Sequence, residues 1–173
     1  MYSISTVNSQ NSAANKAFRR FHSRGQRAAL WAKLSGEFPF LEDFKNNAFR
    51  LQAGRKHLGI QTIPVSAITG SVGRSRDFDR QFRPLKKNLR DRWAGVYQSL
   101  KDGNWPPISV YKIGKSYYVA DGHDRVSVAN FNGMKHIQAE VWEYSCINEQ
   151  AEACQLDVQC KCNNVNMTAP MHA

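Results

Sequence analysis

Tyr117-Tyr118-Val119-Ala120-Asp121-Gly122-His123-Asp124-Arg125-Val126-Ser127-Val128-Ala129 is the run from which the rest of this chain is read. The residues up to Ala120 predict a strand, Asp121-Gly122 a tight turn, and the remainder a helix reaching about Asn132, where Gly133 ends it. Asp121 is the predicted N-cap. The first turn of any helix carries unpaired N–H groups and a partial positive charge, so it attracts phosphate. Gly122 has no side chain to obstruct an anion there, and Arg125 offers a permanently charged, bidentate clamp. His123 and Asp124 share the opening turn and suit a proton carrier or a holder of metal-bound water. The same residues also read as an ordinary cap: Asp121 satisfies the helix end, Asp124 complements the dipole, and Arg125 pairs with Asp124 on the surface.

Working outward, Ile108–Ile113 and Tyr117–Ala120 predict a hairpin around Gly114-Lys115, and Ile137–Tyr144 a last strand. Upstream, Leu85, Leu89, Trp93, Val96, Tyr97 and Leu100 recur at helical spacing. Asp102-Gly103-Asn104 and Pro106-Pro107 are the predicted end of that helix. Gln61–Ile68 alternates like a strand, with Pro64 pointing to an edge or a strand start. Ala13–Leu34 predicts a helix with Ala17, Phe18, Phe21, Ala28, Trp31 and Leu34 as its apolar set and a break at Gly25. Phe40, Phe44, Ala48 and Leu51 predict a second helix, and residues 1–12 a frayed start. The aromatics of both helices read as core. The order is helices, strand, loop, helix, hairpin, helix, strand: an α+β fold with a small mixed sheet and packed helices, behind an N-terminal helical annex.

The chain has 173 residues, 42% hydrophobic and 22% charged, enough for one domain with a real core. No apolar run approaches the roughly 18 residues of a membrane span. The start lacks the apolar block of a secretory signal, and its few acids fit an organelle transit peptide only loosely. A soluble, cytoplasmic protein without a membrane partner is expected. The net charge of +10 is uneven: residues 1–92 hold 18 Lys/Arg against 6 Asp/Glu, and residues 93–173 hold 6 against 8. Such a field attracts polyanions, although it also serves solubility alone. Arg20, Arg24 and Arg27, on one side of the first helix, are the candidate nucleic-acid contacts.

Gly70–Arg83 is a glycine- and charge-rich loop. Arg74, Arg76, Arg80 and Arg83 either converge on anionic oxygens or pair with Asp77 and Asp79. Those two carboxylates also suit Mg²⁺ shared with substrate phosphates. Phe78 reads as the loop's anchor. Cys146, Cys154, Cys160 and Cys162, with seven, five and one intervening residues, do not follow a zinc spacing, and no resident metal site is expected. His57, His136, His172, Trp105 and Trp142 read as surface or packing residues.

The stretch from Ile63 to Glu143 resembles the ParB/sulfiredoxin superfamily, in the version found in bacterial ParB-like domain proteins. The resemblance lies in Ile63-Pro64-Val65 with Ile68, in Arg74–Asp79, in Pro107-Ile108-Ser109-Val110-Tyr111, and above all in Asp121-Gly122-His123-Asp124-Arg125. It implies nucleotide phosphates at the helix start and at Arg125. Sulfiredoxins place a catalytic Cys in Gly-Cys-His-Arg where this chain has Gly-His-Asp-Arg, so sulfinic-acid reduction is not expected. Partition proteins carry Gly-Glu-Arg-Arg and a following DNA-binding domain for which some 30 residues leave no room. Free-serine kinases of the superfamily use an Asp-Gly-His-x-Arg form, with a loop carboxylate as base; Asp77 or Asp79 is the local candidate.

The expected organisation is therefore a basic helical extension (1–60), a ParB/sulfiredoxin-like domain (61–144) and a polar, Cys-containing tail (145–173). The expected function is a DNA-associated or regulatory module binding ATP, CTP or a related nucleotide, with Mg²⁺ as an optional companion. Asp121, Gly122, His123, Asp124 and Arg125 would hold phosphates, with Arg74 or Arg76 closing over them. The alternatives are a kinase using His123 with Asp77 or Asp79, and a non-catalytic interaction protein. Oligomers are compatible with all three.

Overall fold

A computed structural model of the protein describes residues 4–48, 51, 54–100 and 105–145. Its elements are α1 (Ile4–Leu34), β1 (Glu42–Asp43), α2 (Lys45–Ala48), β2 (Lys56–Pro64), β3 (Ile68–Ser71), α3 (Arg90–Ser99), β4 (Ile108–Ile113), β5 (Ser116–Asp121), α4 (His123–Phe131) and β6 (His136–Tyr144). The strands form one six-stranded sheet in the order β1-β3-β5-β4-β6-β2. Three pairings are parallel (β1 with β3, β3 with β5, β4 with β6), and β4–β5 and β2–β6 are antiparallel. The fold is α+β on a mixed sheet, as expected.

Period-two alternation sets which face each strand buries. Ile108 and Val110 of β4, and Ile137, Ala139 and Val141 of β6, point into the core, while Gln138 stays exposed. The opposite face is aromatic: the Phe44 ring packs against Tyr111, Tyr118 and Tyr144 at 5.2–5.6 Å. On the core face Trp93 of α3 is wholly enclosed, and its indole N–H donates to Ser127 Oγ of α4 at 2.9 Å. Phe18 meets Trp93 and Phe21 meets Phe131, edge-on in both cases, so α1 is fastened to α3 and α4 by aromatic contacts.

Several expectations about the N-terminal half are corrected. α1 runs unbroken through Gly25 and is already helical at Ile4, within the segment expected to fray. Gly25 serves close approach: a Cβ there would lie 3.0 Å from Arg83 Cβ and 3.0 Å from the Pro84 carbonyl oxygen. Docking of the Arg83–Pro84 segment offsets the ~1 kcal/mol that glycine costs inside a helix. Gln26 Nε2 also donates to the Leu85 carbonyl at 2.6 Å. The second helix shrinks to Lys45–Ala48, because Phe40 bridges Asp79 and Glu42–Asp43 pair with Gly70–Ser71. β2 starts at Lys56, so the boundary expected at residue 61 falls inside a strand, and Phe18 and Phe21 share the core with the sheet. Pro64 closes β2, which is an edge strand. Leu85 precedes α3 instead of starting it. The expected stop at Asp102-Gly103-Asn104, the four cysteines and His172 lie outside the described residues.

Candidate functional site at the start of α4

β5 delivers the chain to Asp121, and Gly122 turns it into α4 with φ 95°. That angle is open to glycine and strained for other residues. Space enforces the same choice, since a Cβ on Gly122 would sit 2.5 Å from Ile108 Cγ2. Gly122, not Asp121, occupies the N-cap position, and no side chain caps the helix. The first intrahelical bond runs from Val126 N–H to the Gly122 carbonyl at 3.1 Å. The amides of His123, Asp124 and Arg125 therefore have no intrahelical acceptor.

Asp121 and Arg125 do not take the places expected of them. Arg125 donates to the carbonyls of Pro106 and of Pro107, the latter at 2.9 Å, and its Nη2 meets Asp121 Oδ2 at 2.7 Å. Its side chain is largely buried. The guanidinium thus pins the segment before β4 to the end of β5. Arg125 braces the turn.

His123 and Asp124 are both buried, with 3% and 4% of their surface exposed. His123 Nε2 lies 2.7 Å from the Ser71 hydroxyl, and Ser71 Oγ accepts the Arg74 amide at 2.9 Å. Burial, reinforced by the Arg74 charge, lowers the His123 pKa to about 4. The imidazole is neutral at physiological pH. Asp124 Oδ2 accepts from Arg92 Nε at 2.5 Å and lies 3.7 Å from Arg74 Nη1. Its other carboxylate oxygen is buried with no partner. Arg74 Nε donates to Asp77 Oδ2 at 2.8 Å, and Lys86 Nζ reaches Asp77 Oδ1 at 2.6 Å. Burial pulls the Asp77 pKa up, but the bonds from Lys86 and Arg74 outweigh it and hold the carboxyl below its usual range. Arg74 and Arg92 thus flank the first turn of α4 through Asp124, with Lys86 behind Asp77, and Arg92 leaves its terminal nitrogens without a partner among the described residues.

The loop's charges mostly satisfy one another. Asp79, 2% exposed, accepts the backbone amides of Gln81 and Arg83 and the Arg83 Nε at 2.6 Å. It shapes the loop, its carboxylate taken up by these three donors. Phe78 is fully buried, as expected of an anchor. Arg80 pairs with Glu37 at 3.9 Å. Arg76 lines a different cavity, together with Glu42, Asp43 and Tyr118. Of the loop's arginines, Arg74 alone is placed at the α4 start. Arg20, Arg24 and Arg27 are exposed on α1 and make no ion pair among the described residues. No group of three or more metal-ligating side chains occurs among the described residues.

Ser71, Lys86 and Arg92 were absent from the expected site. Ser71 carries a faint signal, sitting at a strand end beside Gly70. Arg92 carries none, because it lies on the solvent side of α3 and reaches the site only through tertiary packing.

No family model matches the chain, and no curated protein matches it. Among solved structures it is similar to the crystal structure of sulfiredoxin from Arabidopsis thaliana, at 20% identity, over 50% of this chain and 86% of that one, with a TM-score of 0.39. A likeness of this size says nothing about what either chain binds. No helix among the described residues is long and apolar enough to cross a membrane.

Proposed function

We propose that the protein binds the phosphates of a nucleotide, ATP or CTP being the first candidates, at the start of α4. The observation that carries this reading is an uncapped helix N-terminus with two arginines, Arg74 and Arg92, drawn to its first turn. Backbone amides and the helix dipole favour an anion there, and the arginines supply charge and forked donors. Asp124 and Asp77 do not cancel this, because Arg74, Arg92 and Lys86 outnumber the two carboxylates they pair with by one charge. Mg²⁺ would travel with the nucleotide and not as a resident ion.

Binding is better supported than phosphoryl transfer. His123 is neutral and engaged with Ser71, which has no exposed surface. Asp79 is enclosed, and Asp77 is tied to two cations. Neither carboxylate is disposed as a base toward a substrate hydroxyl. The exposed arginines of α1 fit the second half of the reading, sequence-independent contact with a nucleic-acid backbone.

Thermal-shift titration with ATP and CTP, with and without Mg²⁺, tests the nucleotide site. At ~100-fold excess over Kd a ligand stabilises by about 2.7 kcal/mol, a readable rise in Tm. The expected result is a rise for one nucleotide that Arg74→Ala and Arg92→Ala each suppress. A wild type indifferent to every nucleotide, or a double variant that responds like wild type, would refute the site.

A further inference from the structure

The apolar residues of α1 do not all face the core. Phe18 and Phe21 do, but Leu30 is 59% exposed, Trp31 72%, Leu34 70%, and Phe38, just beyond the helix, 58%. Monomeric proteins rarely gather so many large exposed apolar side chains in one place without a use for them. The patch continues a basic track. At 100° per residue, Arg20, Arg24, Arg27 and Trp31 fall within one exposed stripe about 60° wide, roughly 100° round the helix from the face buried through Ala14, Ala17, Phe18 and Phe21. Successive arginines of the stripe are about 4.5–6 Å apart along the axis. α1 contains no acidic residue.

Trp31 also walls a cleft of about 360 Å³ between the end of α1 and the loop, with Phe38 as a further aromatic lining. Arg80 and Arg83 at its side are paired with Glu37 and Asp79, which line it too, so among the described residues the free cations here are those of α1. Phe38 is steadied edge-on by Phe40 at 5.4 Å. A backbone-tracking row of cations running into two exposed aromatic rings is the arrangement by which single strands are held without sequence preference. A duplex has no use for the rings, because its bases are already stacked.

We infer that α1 binds single-stranded nucleic acid, with Arg20, Arg24 and Arg27 on successive phosphates and an unstacked base on Trp31 and Phe38. This rests on the reading of α1 as a nucleic-acid surface and narrows it from backbone contact alone to base stacking. It is independent of the nucleotide site at α4.

Fluorescence anisotropy of a labelled ~20-nucleotide oligo(dT) and of a duplex of equal length, over a salt series, tests it with the full-length protein. Single strand should bind more tightly than duplex. Trp31→Ala should weaken single-strand binding by about 10-fold or more, Trp31→Leu should weaken it comparably, and Trp31→Phe should restore most of it. Arg20→Glu, Arg24→Glu and Arg27→Glu together should reduce the log–log salt slope by about 2. Duplex binding lost with the triple change but unmoved by Trp31→Ala would overturn stacking and leave backbone contact standing. No binding to either probe would overturn both. Full retention by Trp31→Leu, or Trp31-dependent capture by phosphatidylserine vesicles with no oligonucleotide binding, would also overturn the inference, since either marks a surface that is merely apolar.

Discussion

Two helices of this protein depart from ordinary helix patterning in opposite senses. α4 opens with polar groups that should face water, His123, Asp124 and Ser127, and buries all three. α1 closes with apolar groups that should be buried, Leu30, Trp31 and Leu34, and exposes all three. At α4 each buried polar group is held by a partner from elsewhere: Ser71 for His123, Arg92 and Arg74 for Asp124, Trp93 for Ser127. At α1 the three residues stay mostly in solvent, Trp31 beside a cleft. Places where local pattern and environment disagree are where function is to be sought. The two disagreements differ in kind, since one is an organised polar interior and the other an open surface.

The comparison breaks most visibly at the turn into α4. Gly122→Ala must adopt φ 95° and place a methyl 2.5 Å from Ile108 Cγ2, so a loss of about 3 kcal/mol or more in urea unfolding is expected. Gly36→Ala, just after α1, meets φ 72° but has nothing within 4 Å, and should lose only about 1 kcal/mol. Equal losses would mean that the α4 turn is no more constrained than a surface one.

His123 makes the buried side pH-sensitive. Its folded pKa of about 4 lies below the 6.5 of an unconstrained histidine. Above pH 6.5 it is neutral in both states and imposes no penalty. As pH falls from 6.5 towards 4 the unfolded chain takes up a proton that the folded one refuses, so stability drops by about 3 kcal/mol and the loss levels off below 4. His123→Gln should remove this contribution from the pH dependence of urea unfolding. An unchanged slope would show that the imidazole is not held neutral.

Arg125→Met should cost about 1–3 kcal/mol, because two prolyl carbonyls lose their donor. The nucleotide response should survive in the fraction that folds. The smallest effect belongs to the other helix: Trp31→Ala should change stability by under about 0.5 kcal/mol, since the ring buries little, and a larger loss in urea titration would place it in the core after all.

What was legible in the sequence is what short-range chemistry specifies. The β4–β5 hairpin announces itself in alternation on both sides of Gly114-Lys115, and α4 in the Asp121-Gly122 turn and the closing Gly133. The fold class follows from that order of elements. β1 was not legible: two residues have no periodicity, and Glu42–Asp43 become a strand only by pairing with β3. Gly25 reads as a breaker until the loop that packs on it is known. At the site, the helix start was legible, but the partners of its arginine were not. Arg125 is four residues from Asp121, yet its further partners Pro106 and Pro107 are 19 and 18 residues away. Arg92, 32 residues from Asp124, gave no local hint of their pairing.

The central claim is that the uncapped start of α4 holds nucleotide phosphate through Arg74 and Arg92 while Arg125 only braces the turn. Isothermal titration of ATP and CTP into the wild type, Arg74→Ala, Arg92→Ala and Arg125→Met addresses it directly. The account predicts binding of at least one nucleotide, a loss of about 10-fold or more in each of the first two variants, and near-wild-type affinity in the third. Heat of binding absent from the wild type, or abolished by Arg125→Met while Arg74→Ala and Arg92→Ala bind normally, would contradict it.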